Sequence, residues 1–159
     1  MYAITQKTRF SVRRLAATAA LAAMLSGIAG LAQAGQCPAD KIGTNVTAPG
    51  ATMAKDVSDD VLASIRLAEH FQALPDRQLR LRQLEIKPGG VVPWHSHADR
   101  PALIYILEGS ITEYSSNCAV PIEHKAGEVA PESVGLSHWW RNNGNVVVRL
   151  IAADIAQAQ

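Results

Sequence analysis

The chain has no glycine-rich phosphate loop and no G-x-S-x-G elbow. These absences remove P-loop nucleotide chemistry and a serine-hydrolase site of that kind. It has no internal repeat and, past its first residues, no basic run, so it lacks the footprint of a nucleic-acid binder. Its longest apolar stretch, Leu15 to Leu31, falls short of the ~20 residues of a membrane span. Cysteine occurs twice, at Cys37 and Cys118. Two cysteines make a single bridge or two thiols, and nothing richer.

The N-terminus reads as a cleavable secretory signal over residues 1–34. Lys7, Arg9, Arg13 and Arg14 precede the uncharged, alanine-rich stretch, and Ala32-Gln33-Ala34 forms an A-x-A site before Gly35. Arg13-Arg14 fits a twin-arginine export pattern loosely. Gln36 stands where a lipoprotein signal needs a small residue before its cysteine. Cleavage after Ala34 leaves one domain's length of chain with 11 basic and 14 acidic residues, a net charge of −3. The expectation is a periplasmic or secreted protein with no nucleic-acid partner and no membrane attachment after cleavage. In an oxidising compartment Cys37 and Cys118 are candidates for a disulfide, the alternative being two unpaired thiols.

Residues 35–56 are rich in Gly, Pro, Thr, Ala and Lys and read as an extended arm. Residues 57–159 read as an all-β domain. Val61–Ala68 alternates as a strand, although Ser58 ahead of Asp59-Asp60 also suits a helix cap. Leu79-Arg80-Leu81-Arg82 alternates, and the phase shift near Gln83 predicts a bulge before Leu84 and Ile86. Pro88-Gly89-Gly90 predicts a turn. Short strands are expected at 91–97, 102–107, 110–115, 120–124, 128–131, 137–142 and 146–153. Glu108-Gly109 is expected to close a hairpin and Asn142-Asn143-Gly144-Asn145 a further turn. Many short strands with frequent turns argue a sandwich or barrel.

His95-Ser96-His97 is the chemically informative stretch. Residues i and i+2 of a strand share a face, so both imidazoles can reach one point. A third candidate ligand is His138. Three neutral imidazoles suit a divalent transition metal such as Fe, Mn, Zn, Ni or Cu and leave coordination positions open.

Gly89, His95, His97 and Gly109, followed by Gly127, Gly135, His138 and Asn142, are spaced as in the two motifs of the cupin superfamily. Residues 89–142 therefore resemble a cupin. The resemblance implies a single jelly-roll β-barrel with its pocket inside, and one metal ion held by His95, His97 and His138. It also implies a possible homodimer. Two positions depart from the pattern. Ala102 stands where the first motif has its ligand glutamate, and Ser133 stands at the proline of the second.

Ala102 cannot ligate, so either three histidines act alone or another carboxylate takes the vacant place. Glu113 is the candidate substitute. With Glu108-Gly109 as a two-residue turn, Ile104 lies opposite Glu113 and Ala102 opposite Ser115, so Glu113 points inward. A metal ligand, an acid/base group and a solvated strand residue all remain open for it. Ala102, Ile104 and Trp140 are expected around the pocket, and Trp139 and Tyr105 outside. His70 and His124 read as surface or core residues, and Arg100 as a local partner of Asp99.

Three functions compete. The first is a metal-dependent oxygenase acting on a small molecule in the barrel. The second is a non-redox isomerase or lyase, with Glu113 moving a proton. The third is a non-catalytic module that binds a metal or small molecule. Cupins host many functions, so the resemblance does not select among them.

Overall fold

The computed structural model describes residues 35–158. The expected signal segment 1–34 lies outside the described residues. Eight strands form one strongly curved sheet: β1 Lys55–Arg66, β2 Arg77–Ser96, β3 Ala102–Glu108, β4 Ser110–Ser115, β5 Ile122–Lys125, β6 Val129–Glu132, β7 Ser137–Arg141 and β8 Val148–Gln157. Their order is β5-β4-β7-β2-β8-β3-β6, with β1 on the free side of β2. This is the nearly closed, all-β barrel of a cupin jelly roll.

One inward face runs through most of the strands, and strict alternation builds it. Val148, Leu150, Ala152, Asp154 and Ala156 of β8 are buried, while their neighbours are not. Ala102, Ile104 and Ile106 do the same on β3, and Ile111, Glu113 and Ser115 on β4. Leu84, Ile86, Ile104, Ile106, Ile111, Val148 and Leu150 form the apolar core with Trp140. Each such side chain contributes about 1.5–3 kcal/mol by leaving water.

The expected β3–β4 hairpin does not form. β3 lies between β8 and β6, and β4 lies between β5 and β7. Glu108-Gly109, with Gly109 at φ +80°, carries the chain from one side of the barrel to the other. Glu113 still points inward, because β3 and β4 face one interior whichever strands they pair with. Its cross-strand partners are Ile122 and Trp140, not Ile104, and Ser115 lies opposite His138 rather than Ala102.

Pro88-Gly89-Gly90 is a bend within β2 rather than a turn that ends a strand. Before it, β2 pairs with β8 and β1; after it, β2 pairs with β7. Gly89 takes φ +75°, and a Cβ on Gly90 would stand 2.7 Å from the Asp56 carbonyl oxygen. Only glycine meets both demands cheaply. Buried Asn142 clamps the bend, donating from Nδ2 to the carbonyls of Ile86 at 2.9 Å and Val146 at 2.7 Å.

The predicted bulge in β2 is also absent there. Pairing of β2 with β8 runs in register from Arg77 to Ile86. The irregularity lies across the ladder, between Val61 and Ala63 of β1. The apparent phase shift is instead an exchange of faces. Leu79 and Leu81 point outward, 41% and 40% exposed, whereas Arg80 and Arg82 share the inward face with Leu84 and Ile86.

The arm is tied down by the Cys37–Cys118 disulfide, whose Cα atoms lie 5.7 Å apart across a separation of 81 residues. Ile42 bridges to Cys118, and Thr47 Oγ1 donates to the Cys118 carbonyl at 2.7 Å. In chain-entropy terms a bridge of this span is worth roughly 4 kcal/mol.

Candidate metal centre

His95 and His138 are direct cross-strand partners on β2 and β7. His97 follows two residues after His95, and its backbone N–H donates to the Leu136 carbonyl at 2.9 Å. The three imidazoles therefore converge. Nε2 of His138 stands 3.1 Å from Nε2 of His97 and 3.2 Å from Nε2 of His95. His97 and His138 are fully buried, and His95 opens onto the cavity.

The hydrogen bonds on the far side of each ring orient it. Nδ1–H of His95 donates to the Pro93 carbonyl at 2.8 Å, and Nδ1–H of His97 donates to the Arg100 carbonyl at 2.8 Å. Nδ1 of His138 stands 2.7 Å from Glu113 Oε1. A carbonyl oxygen can only accept, so Nδ1 of His95 and of His97 carries the proton, while Nδ1 of His138 lies between Glu113 Oε1 and the indole N–H of Trp140 at 3.0 Å. The three Nε2 atoms face one point, where each could offer a lone pair to an ion. Burial pushes the His95 pKa down to about 4, aided by His138 and His97 nearby and opposed by its bond to Pro93, so the ring is neutral near pH 7.

The fourth member of the cluster is Glu132, on β6. Its Oε2 lies 3.0 Å from His97 Nε2 and its Oε1 3.2 Å from His138 Nε2. His95, His97, Glu132 and His138 offer four ligand atoms within 4.8 Å of one another and could hold a metal ion. Donors at right angles about an ion ~2.1 Å away would stand ~3.0 Å apart, close to the spacing found. Imidazole nitrogens and a carboxylate packed this closely need a proton or a metal cation among them. The residues therefore fit a divalent transition metal. The strand expected at 128–131 stops one residue short of Glu132, which shares the buried face of β6 with Ala130.

Glu113 stands outside this cluster, behind His138. Its Oε2 accepts from His124 Nε2 at 2.8 Å, and His124 stacks on Trp140 with ring centroids 4.7 Å apart. Burial alone would raise the Glu113 pKa. Hydrogen bonds from His124 and His138 outweigh that and hold it down at about 2. His124 is thus a buried partner of the centre's support, which its position outside the motifs concealed.

Beside the cluster a cavity of about 290 Å³ opens, with His95 and Glu132 in its wall. Trp140, Ile104, Leu84 and Leu150 make its apolar side. Ala102 is buried opposite Glu132 and is not among the residues that line it. Trp139 lies away from the cavity and stacks on Tyr114, and Tyr105 is exposed.

The remaining wall is charged. Asp154, buried on β8, accepts from Arg80 Nε and Nη2 at 3.0 and 2.8 Å and from Arg100 Nη1 at 2.9 Å, with Arg82 Nη2 at 3.3 Å. Burial pushes its pKa up, but the three guanidiniums outweigh burial and lower it. Arg82 also pairs with Asp59. Arg100 is therefore not the local partner of Asp99, which lies 3.8 Å from Arg77 instead.

Comparison with known proteins agrees with this architecture. Residues 82–154 match the Cupin_2 family, described as a cupin domain. Nectarin-1 of Nicotiana plumbaginifolia is 27% identical over 115 residues, covering 70% of this chain and 49% of that protein. Germin-like protein subfamily 2 member 1 of Arabidopsis thaliana is 32% identical over 80 residues, covering 48% and 36%. The chain thus spans about half or less of the length of these curated relatives. A crystal structure from Thermotoga maritima, described as a predicted oxalate decarboxylase, superposes with TM-score 0.53 at 24% identity, over 72% of this chain and 96% of that one. Residues 82–154 thus match a cupin domain, and the barrel around them has the corresponding fold.

Proposed function

We propose that this chain is an exported, metal-dependent enzyme, an oxygenase that acts on a small molecule held in the barrel cavity. One observation carries the reading: three histidine Nε2 atoms and the Glu132 carboxylate converge at the edge of a largely apolar cavity. His95, His97 and His138 would hold the ion through Nε2, and Glu132 would offset part of its charge. An ion bound there supplies Lewis acidity and, for Fe, Mn, Ni or Cu, redox capacity as well.

The protein residues have distinct tasks. Glu113 keeps the proton on His138 Nδ1 and so aims Nε2 at the ion; it acts as a positioning residue. His124 holds Glu113 in turn. Trp140, Ile104, Leu84 and Leu150 limit water beside the reacting molecule. The Cys37–Cys118 bridge supports an oxidising compartment, and with it export after cleavage at Ala34. No helix among the described residues is long and apolar enough to cross a membrane.

Elemental analysis of protein purified from its own compartment, with oxygen uptake in the presence of candidate substrates, tests the reading. Iron, copper, nickel or manganese at one ion per chain with substrate-dependent uptake is expected. Zinc without uptake would favour the isomerase or lyase reading. A metal-free wild type, indistinguishable from His95→Ala, would end both. A homodimer belongs to the same proposal. Ile65 of β1, Leu79 and Leu81 of β2, and Leu103 and Tyr105 of β3 are exposed, with Ile151 and Ala153 of β8 between the last two strands. Sedimentation should give a dimer that Leu103→Glu shifts toward monomer.

A further inference from the structure

We infer that the cavity is built for a small monocarboxylate with an apolar body, its carboxylate lying against Arg100 and Arg82. The inference rests on the cavity being the substrate chamber proposed above, and it names the class of molecule that enters.

The cavity wall has three chemically different parts. At one part stand His95 and Glu132 of the metal cluster. At another stand the guanidiniums of Arg82 and Arg100. Leu84, Ile104, Trp140 and Leu150 complete the enclosure. A volume of about 290 Å³ is near the lower limit of small-molecule sites, which begin at roughly 300 Å³. A ligand that satisfies all three parts is compact, carries one anionic end and presents an apolar remainder.

The charge balance points the same way. Arg80, Arg82 and Arg100 share two aspartates, Asp154 and Asp59. One oxygen, Oδ2 of Asp154, is the common partner of all three guanidiniums. These five groups leave one positive charge, and the Glu132 carboxylate that shares the cavity is turned toward His97 and His138 rather than toward the guanidiniums. Arg82 Nε is buried and has no hydrogen-bond partner. The side chain of Arg100 is 25% exposed, so it remains reachable while Asp154 orients it. A planar carboxylate is the natural acceptor for a guanidinium fork.

Arg100 also joins the two halves of the chamber. Its backbone carbonyl accepts from His97 Nδ1 and sets that ring's tautomer, while its guanidinium reaches Asp154. A ligand held at the guanidinium is thereby registered against the metal cluster by one residue. Substitution of the side chain leaves the backbone bond to His97 in place.

Calorimetric titration of the full mature chain with benzoate tests this, once with manganese loaded and once after chelation. Benzoate is expected to bind saturably. Benzamide, of the same shape without the charge, and inorganic phosphate, charged without the apolar body, should each bind at least tenfold more weakly. Arg100→Gln should weaken benzoate at least tenfold with manganese content unchanged, and Arg100→Lys should recover part of the loss. Equal binding of benzamide, equal binding of phosphate, or an unaltered Arg100→Gln that folds as the wild type does would overturn the inference. Benzoate binding as expected to a chain that takes up none of manganese, iron, nickel, copper and zinc would leave this inference standing and remove the metal reading. Manganese uptake without benzoate binding would do the reverse.

Discussion

Ala102 and Glu132 are direct partners across the β3–β6 ladder. The carboxylate missing from its usual place on β3 stands opposite that place, on the neighbouring strand. Its oxygens lie 3.0 Å from His97 Nε2 and 3.2 Å from His138 Nε2. The small side chain of Ala102 leaves room for a carboxylate arriving from the side.

Glu132→Ala should therefore reduce metal affinity at least tenfold, with the fold retained. Adding Ala102→Glu to that variant should restore part of the affinity, because the two positions share one inward face. Metal titration of the three proteins checks this. A double variant no better than Glu132→Ala would show that the two sites are not exchangeable.

Glu113→Gln preserves size but removes the acceptor that fixes His138. Loss of such an outer partner costs roughly 10–100-fold in metal affinity. The same drop should follow His124→Phe only in part, since His124 acts through Glu113. Unaltered affinity in Glu113→Gln would free Glu113 from any role at the centre.

Asp154→Asn leaves three guanidiniums without their carboxylate. Breaking a buried charge cluster on one side costs about 3–5 kcal/mol, which denaturant unfolding near pH 7 should show. The Asp154 pKa is lowered on folding. Its contribution is therefore full above the ordinary aspartate range and is lost as the pH falls through its lower folded value. Acid unfolding of the wild type should be steeper in that range than acid unfolding of Asp154→Asn.

Reduction of the Cys37–Cys118 bridge should lower stability by about 2–4 kcal/mol. Residues 35–47 should then exchange their amide hydrogens faster, because their backbone bonds to Ser116 and Asn117 lose their anchor. The strands of the barrel should keep their protection. Loss of the whole fold on reduction would contradict a bridge that ties down only the arm.

Several features were legible from local spacing. The i, i+2 rule brings His95 and His97 to one face, and parity with His138 sends Trp140 inward. These survive errors about pairing, because parity belongs to each strand alone. Glu113 was expected inward from the register of a β3–β4 hairpin that does not form; it points inward because β4 alternates between β5 and β7. Leu79-Arg80-Leu81-Arg82 misled for a different reason. Its apolar residues lie outside, and its arginines lie inside around Asp154. A pattern of alternation says that two faces differ, not which one is interior.

The sequence by itself determined which residues could be ligands and which way most of them face, since chemistry and strand parity are local. It also marked Pro88-Gly89-Gly90 as a break, through the φ +75° that Gly89 takes, though the structure makes it a bend within β2 and not a turn between strands. Tertiary structure alone decided that Glu132 meets the histidines and Glu113 stands behind them. It alone placed Arg80, Arg82 and Arg100 around one aspartate. These are matters of which strand lies beside which when the barrel closes, and that depends on pairing between segments far apart in the chain.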